Sequence, residues 1–369
     1  MNRLFRWDQM GLFLLALAAG ILPFAVPEVC AAALREGLTL CSGPLLLSLF
    51  PFLVVSRLLI QCPESDLLAL PFRLAAWGIG IRTPCAARVL CIGFLGGFAP
   101  AASAAAQAVR TGQLTAEEAD ALLPACICSG PSFVVLTVGQ SLLGSAELGV
   151  LLFASQITAN YLTAALLNRF AGVRSVKPGS AAPASPAPPR LDEILADAAI
   201  TYCKLCGFIL FFRMLAAGAG ALLPAGAGTL CAVLLEVCSG CDLASRTGRW
   251  GSLLCCAALS VQGLSVLLQV RTICPPEMTL RPLYWARLLH LPLSLALFYL
   301  LLPGGEADVF STLPARVLLM RRVSPDCALL VFAVCCMAAC TLRSGIRQVE
   351  QKQMARNAGG CCINSKTLL

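Results

Sequence analysis

The sequence has little charge and almost no histidine. Only 12% of its 369 residues are charged, whereas a soluble domain carries about 25%. With 58% hydrophobic residues, the chain has too few charged side chains to cover a soluble surface. The single histidine removes most acid–base arrangements, and the sequence contains no GxSxG, HExxH, P-loop or dinucleotide-binding pattern. We therefore expect a membrane protein that is not an enzyme, with a membrane-embedded enzyme using Glu236 and Asp242 as the alternative.

The hydrophobic residues form continuous runs, and the mean hydropathy is +0.82. Continuous runs favour membrane helices, because the strands of a membrane barrel alternate between apolar and polar residues. At about 20 residues a span, the chain has room for roughly 9–10 hydrophobic segments. The sequence thus predicts an all-α polytopic membrane protein with candidate spans at residues 9–26, 37–60, 86–108, 120–143, 147–168, 203–223, 228–246, 250–270, 284–303 and 325–342.

Three shorter segments look amphipathic, at residues 66–80, 114–122 and 191–201. We expect them to lie along the membrane interface or in loops. In the second segment Thr115 is followed three residues later by Glu118, a capping-box pattern that predicts a helix start.

Cysteine and positive charge are plentiful, but neither predicts a ligand. Most of the 21 cysteines lie inside apolar runs, where cysteine acts as a small hydrophobic residue. Two CxxC pairs, Cys203/Cys206 and Cys238/Cys241, are separated by 31 residues, against about 15–20 in zinc ribbons. The net charge of +8 comes mostly from residues between apolar runs, which is typical of orientation signals. We expect no metal, no cofactor and no nucleic-acid partner.

Composition divides the chain into five parts. Residues 1–170 form an N-terminal membrane half and residues 191–303 a C-terminal one. Between them, residues 171–190 are rich in Pro, Ala and Ser and predict an extended linker. Residues 304–343 hold a loop and an appended final helix, and residues 344–369 form a polar tail that we expect to be disordered.

Basic residues near the N-terminus and in the linker place both on the cytoplasmic side. Two cytoplasmic ends require an even number of crossings, yet five candidate spans lie between them. One of the five must therefore be re-entrant or interfacial. The proline-containing segments 37–60 and 120–143 are the two candidates.

The tripeptide Cys-Ser-Gly interrupts apolar segments at residues 128–130 and 238–240, and a third copy occupies residues 41–43. Corresponding interruptions in two halves are typical of transporter binding sites, whereas small residues also serve plain helix packing. We predict that residues 128–131 and 238–241 are non-helical and lie close together at mid-membrane depth. The candidate substrate-binding residues at these breaks are Ser129, Gly130, Pro131, Ser239 and Gly240.

Polar residues inside spans add three further candidates. Glu236 precedes the second break, and charges at membrane depth are costly and usually functional, with an ion pair to Arg213 as the structural alternative. Gln269 lies seven residues after Gln262 and so on the same helix face. Ser103 lies in a Gly, Ala and Ser stretch at residues 91–109 that suits either close packing or a cavity wall. For His290 we expect a packing role.

Several stretches resemble the YlbJ-type sporulation integral membrane proteins, also called SpoVV, which belong with the nucleoside-recognition or Gate domain proteins. The resemblance runs from about residue 45 to residue 302 and rests on order and spacing. The stretches are "SLFPFLVVSRLL" (48–59), "GQLTAEEADALL" (112–123), "SGPSFVV" (129–135), "LLEVCSG" (234–240), "GLSVLLQ" (263–269) and "YWARLLH" (284–290). Ser103, Ile127 and Leu267 stand where the family has Lys, Asn and His.

The resemblance implies two gate-like halves and transport of dipicolinic acid in the mother-cell membrane around a forespore. We therefore expect a carrier of a small polar, anionic metabolite in a bacterial cytoplasmic membrane. A proton or a sodium ion would be its coupling ion, and the oligomeric state is open. The alternatives are a non-transporting membrane scaffold or sporulation assembly factor, and a protein similar to nucleoside transporters.

Overall fold

The computed structural model describes residues 2–62, 64–171 and 191–302. These residues form helices and turns with no strand among them. Four helical segments are long and apolar enough to cross a membrane, or five if one bent pair counts as a single span. They are Ala146–Ala171, Leu191–Leu222, Gly248–Ile273, which has an internal break, and Arg281–Leu301. The all-α polytopic membrane fold is therefore confirmed. The predictions for the linker after Ala171, for the appended helix and for the polar tail fall outside the described residues.

The first part of the chain forms nine α-helices and one π-helix within the described residues up to Ala171. Most are short, and several adjoin one another with a single residue between them. They are α1 (Asn2–Ala25), α2 (Pro27–Ser42), α3 (Pro44–Gln61), α4 (Ser65–Leu68), α5 (Leu70–Gly78), α6 (Pro84–Gly96), α7 (Phe98–Arg110), α8 (Ala116–Cys126), the π-helix (Ser132–Leu142) and α9 (Ala146–Ala171).

The second part begins with the longest helix among the described residues and repeats an order seen in the first. Its α-helices are α10 (Leu191–Leu222), α11 (Ala225–Leu235), α12 (Val237–Ser245), α13 (Gly251–Val261), α14 (Gly263–Ile273) and α15 (Arg281–Leu301), with a 3₁₀ turn at Gly248–Trp250. In each part a continuous helix (α3 or α10) is followed by two broken ones (α6–α7 and α8 with the π-helix, or α11–α12 and α13–α14). A second continuous helix (α9 or α15) then completes the part.

Proline and capping side chains set many of the helix starts. Pro27, Pro44 and Pro84 occupy the first turn of α2, α3 and α6, where the missing N–H costs nothing. The predicted capping box is confirmed at α8: Thr115 accepts from the Glu118 N–H, and the Glu118 carboxylate accepts from the Thr115 N–H.

Two predicted boundaries are wrong. The segment 191–201 is not a separate interfacial helix but the first three turns of α10, because no proline or glycine interrupts the chain before Gly207. The predicted span 37–60 is divided at Gly43, the last residue of the third Cys-Ser-Gly, where α2 ends and Pro44 starts α3. The bend within the α1–α2 pair reaches 109° near Pro27.

Small side chains allow α7 to lie in the centre of the bundle. Its alanines are almost all buried, and it packs against α3, α6, α8 and α14. A Cβ placed on Gly93 of α6 would stand 3.2 Å from the Ala101 Cβ and 3.0 Å from the Cys126 carbonyl oxygen. Close backbone approach of this kind is how helices associate without a hydrophobic driving force in lipid.

The two parts of the chain are joined at several places. Helix α9 packs against α15, and α3 packs against α10. The Asp120 carboxylate on α8 accepts hydrogen bonds from the Thr279 N–H (2.8 Å), the Thr279 hydroxyl (2.7 Å) and the Leu280 N–H (3.1 Å). The loop before α15 is thereby fixed to α8.

Candidate functional site

Four helix breaks face one another in the interior. They lie at Gly97 between α6 and α7, at residues 127–130 between α8 and the π-helix, at Glu236 between α11 and α12, and at Gln262 between α13 and α14. Each break frees backbone groups that lipid cannot satisfy, so protein or a cavity must surround them.

Contacts between the breaks are direct. Gly97 has φ +80°, and a Cβ built on it would stand 2.7 Å from the Gly130 nitrogen. The Gln262 side-chain amide donates to the Ile127 carbonyl oxygen (3.4 Å). A Cβ on Gly263 would stand 2.9 Å from the Glu236 nitrogen. The break at 127–130 therefore contacts one other break in its own part of the chain and one in the second part.

The break predicted at 128–131 is confirmed for residues 128–130 but not for Pro131, which is already helical, and the break predicted at 238–241 is wrong. Residues 127–130 are non-helical, and Pro131 precedes the first residue of the π-helix. In the second part, however, the non-helical residue is Glu236, and residues 238–241 form the first turns of α12. Ser239 and Gly240 thus belong to a helix N-terminus.

The side chain of Glu236 explains why the break lies two residues before the predicted one. Its backbone is extended (φ −151°, ψ 124°), and its carboxylate accepts from the Cys238 N–H (2.8 Å), the Ser239 N–H (2.7 Å) and the Ser239 hydroxyl (2.9 Å). A negative charge at a helix N-terminus is stabilised by the free N–H groups and by the helix dipole. The buried carboxylate therefore finds its partners within three residues.

The expected ion pair between Glu236 and Arg213 is absent. Arg213 instead donates to the Glu36 carboxylate on α2 at 2.7 Å. Among the described residues no cation lies within ion-pair distance of Glu236. Arg213 links α10 to α2 through Glu36, and its charge acts on Glu236 only at longer range.

A polar cavity of about 150 Å³ lies between α3, α7, α10 and α14. Two of the predicted site residues, Ser103 and Gln269, line it, but Glu236 and the residues of the Ser129 break do not. Three cations, Arg57, Arg110 and Lys204, stand in its wall against one carboxylate, Asp197. The cavity is therefore positive, and both parts of the chain contribute to it.

Arg57 organises the cavity wall. It is buried on α3 and donates from Nε to the Ser103 hydroxyl (3.3 Å), from Nη1 to Asp197 (2.5 Å) and from Nη2 to the Thr201 hydroxyl (3.2 Å). The Asp197 side chain is 61% exposed, so water screens this ion pair. The guanidinium keeps a fixed orientation while much of its partner's charge is solvated.

A buried polar stripe on α14 runs from this cavity to the breaks. Gln262, Ser265 and Gln269 share one face, and the Gln269 amide donates to the Ser265 hydroxyl (2.9 Å). The side-chain carbonyl oxygens of Gln262 and Gln269 have no hydrogen-bond donor among the described residues. Seven residues of helix place the two glutamines about 10 Å apart. The two regions that hold the predicted site residues are thus connected by polar groups.

The remaining polar candidates have structural contacts. The His290 Nε2 lies 3.1 Å from the Gln156 carbonyl oxygen, and the ring is fully buried. Asp242 pairs with Arg246 on the following turn at 2.8 Å. No group of three or more His, Cys, Asp or Glu side chains that could hold a metal occurs in the described ranges.

Sequence reasoning missed Arg57 and Arg110. Arg57 lies within an apolar run of the stretch at 48–59, and an intramembrane cation is itself a signal of function. A larger cavity of about 440 Å³ near Phe72, Phe94 and Tyr161 has an apolar wall apart from the Thr158 and Tyr161 hydroxyl groups, so it does not suit a charged solute.

Comparison with known proteins identified no relative of this chain. No family model, no curated protein and no solved structure matches this chain.

Proposed function

We propose that this chain is a membrane carrier for a small anionic metabolite that binds in the cavity between the two parts of the chain. One observation carries the proposal: three cations face one exposed carboxylate in a polar cavity inside an otherwise apolar bundle. Arg57 is buried, whereas Arg110 and Lys204 are exposed. A buried charge such as that of Arg57 is costly in a membrane protein and usually marks a solute pathway.

The size and wall of the cavity favour a compact solute. About 150 Å³ is the liquid volume of roughly five water molecules. The Arg57 guanidinium holds Asp197 and Thr201, and a solute carboxylate would take the place of the solvated Asp197 beside it. Arg110 adds a second guanidinium and Lys204 a point charge. Ser103 and Gln269 offer polar contacts to the uncharged part of the solute. A small dicarboxylate fits this chemistry.

The helix breaks suit a carrier better than a rigid scaffold. Carriers place broken helices near mid-membrane depth, beside their binding sites. Here the α14 stripe connects the cavity to the breaks, and both of its glutamines keep an unused acceptor. Ser129, Gly130 and Pro131 would then border the path rather than the first binding position, with Ser239 and Gly240 shaping it through α12.

Dipicolinate, an aromatic dicarboxylate, is the first solute to test, because the sequence resembles the sporulation membrane proteins. The same resemblance is the basis for the proposed location, the mother-cell membrane around a forespore. A proton or sodium gradient is the proposed coupling source.

The test is uptake into vesicles that contain the purified full-length protein. Labelled dipicolinate and uridine are offered separately, with and without proton and sodium gradients. We expect dipicolinate uptake, and we expect Arg57→Gln and Lys204→Gln to lower its kcat/KM about tenfold or more, since each removes a hydrogen bond to a charged group. Arg246→Gln is the matched control, because Arg246 pairs with Asp242 away from the cavity and is mostly exposed.

Each other outcome selects another function. Uptake of uridine without dipicolinate would favour a protein similar to nucleoside transporters. No uptake of either solute, or of other small carboxylates, by well-folded protein would favour the membrane scaffold. Equal losses in Arg246→Gln and Arg57→Gln would separate the activity from the cavity.

A further inference from the structure

One buried cation, Arg287 on α15, has no carboxylate partner. Its side chain is 7% exposed, and none of the ion pairs among the described residues includes it. Arg57 and Arg213, by contrast, each pair with a carboxylate. A buried guanidinium stays charged, so Arg287 leaves an uncompensated positive charge inside the bundle.

The contacts of Arg287 use only part of its donors. Nη2 donates to the Asn160 side-chain oxygen at 2.9 Å, and Nη1 makes a long contact of 3.4 Å with the Ser260 carbonyl oxygen. Nε has no acceptor. A guanidinium has five N–H groups, so the site lacks acceptors and negative charge together.

Arg287 borders two of the four helix breaks. The Asn160 amide that accepts from it also donates to the Ile127 carbonyl oxygen (3.2 Å), at the start of the 127–130 break. Ser260 lies two residues before Gln262, whose amide donates to the same Ile127 oxygen. Polar groups from α8, α9, α13 and α15 therefore meet around one positive charge.

We propose that Arg287 forms an anion-binding subsite where these breaks meet. Its ligand is a compact, singly charged group that only accepts hydrogen bonds. A chloride ion or a carboxylate of the transported solute would supply it, and the second source rests on the function proposed above. Arg287 is separate from the cavity of Arg57, since it does not line that cavity.

The experiment measures thermal unfolding of the purified full-length protein in detergent, in a buffer whose only anion is a bulky sulfonate. Chloride and acetate are titrated separately. We expect each to raise the melting temperature saturably, by about 3 °C or more at a hundredfold excess over its Kd. Arg246→Gln, at an exposed ion pair outside both sites, should keep this response, and Arg287→Gln should lose the chloride response.

Asn160→Asp keeps the test decisive if Arg287→Gln does not fold. The new carboxylate would stand beside the guanidinium and replace the bound anion, so this variant should respond to neither anion. It also loses the Asn160 amide donor to the Ile127 carbonyl oxygen, so the anion response and not the melting temperature itself is the readout. Wild-type protein that ignores both anions at about 0.5 M, or an Asn160→Asp variant with the full response, would overturn the proposal.

The two proposals fail separately. If the protein transports no solute but shows an anion response that depends on Arg287, the subsite is supported and the carrier function is contradicted. If the protein takes up dipicolinate but shows no anion response, the carrier function is supported and the subsite is contradicted. A response to acetate alone would assign the subsite to a carboxylate group and exclude chloride.

Discussion

The helix breaks of the two parts of the chain are built in different ways. The breaks at Gly97 and at residues 127–130 contain small residues, and their backbones touch directly. The breaks at Glu236 and Gln262 contain long polar side chains that form hydrogen bonds to backbone groups. The first pair depends on the absence of side chains, and the second pair depends on their presence.

The two pairs of breaks should therefore be sensitive to different kinds of substitution. Added volume should damage the first pair, where no space remains. Removal of a polar side chain should destabilise the second pair of breaks, because the freed N–H groups have no water as an alternative hydrogen-bond acceptor. Substitutions at three of the breaks, each with its control, test the comparison from the largest expected effect to the smallest.

Gly97→Ala should be the most damaging. Gly97 has φ +80°, and the new Cβ would stand 2.7 Å from the Gly130 nitrogen. With ψ −164°, this backbone conformation is open essentially only to glycine and costs alanine about 1–3 kcal/mol. Overpacking of about 1–3 kcal/mol brings the loss in the free energy of unfolding to about 2–6 kcal/mol. Denaturant unfolding of the purified protein measures it.

Gly144→Ala is the matched control. Gly144 also has positive φ (+72°), but nothing lies within 4 Å of its Cβ position. It should therefore lose only the strain component, about 1–2 kcal/mol. Equal losses at both glycines would mean that the contact between the first two breaks adds nothing to stability.

Glu236→Ala should cost about 2–4 kcal/mol, because it removes a helix cap and leaves two buried N–H groups without an acceptor. Ser239→Ala, which deletes only the hydroxyl donor to the same carboxylate, should cost about 1 kcal/mol. Arg213 pairs with Glu36 and acts on Glu236 only through longer-range charge, so the coupling energy between Glu236→Ala and Arg213→Gln should stay below about 1 kcal/mol. A coupling energy of about 3 kcal/mol or more, as expected when one partner of a buried ion pair is removed, would contradict this account.

Gln262→Gly should change stability least, by less than about 1 kcal/mol. Glycine relieves the left-handed conformation of Gln262 (φ 63°), but the hydrogen bond to Ile127 is lost, and the two terms nearly cancel. Gln262→Ala keeps the strain and loses the hydrogen bond, so it should be the less stable of the two by about 1–2 kcal/mol. The reverse order would show that position 262 does not need a left-handed backbone.

Local sequence signals predicted part of this arrangement. Apolar runs predicted α9 and α15 closely, and the capping box predicted the start of α8. Ser-Gly-Pro marked the break near Ser129, because proline cannot continue a helix and the residues before it favour extended backbone. The division into two halves with a cytoplasmic linker stays a prediction.

Long-range contacts account for what the sequence did not predict. The break at Glu236 arises because its side chain folds back onto the next turn, a choice that hydrophobicity does not reveal. Gln262 carried no signal beyond the glycine that follows it. Arg57 and Asp197 are 140 residues apart, so only the folded chain shows that they share a cavity.

The Glu236 cap has a consequence for how the chain enters the membrane. Its carboxylate is satisfied by Cys238 and Ser239, two and three residues onward. The segment of α11 and α12 therefore contains both the buried carboxylate and the N–H groups that stabilise it. We expect this segment to insert into the membrane without contacts from a neighbouring segment. The Arg287 guanidinium depends instead on Asn160, made 127 residues earlier. We therefore expect the last described helix to settle fully only after α9 is in place to supply the Asn160 acceptor.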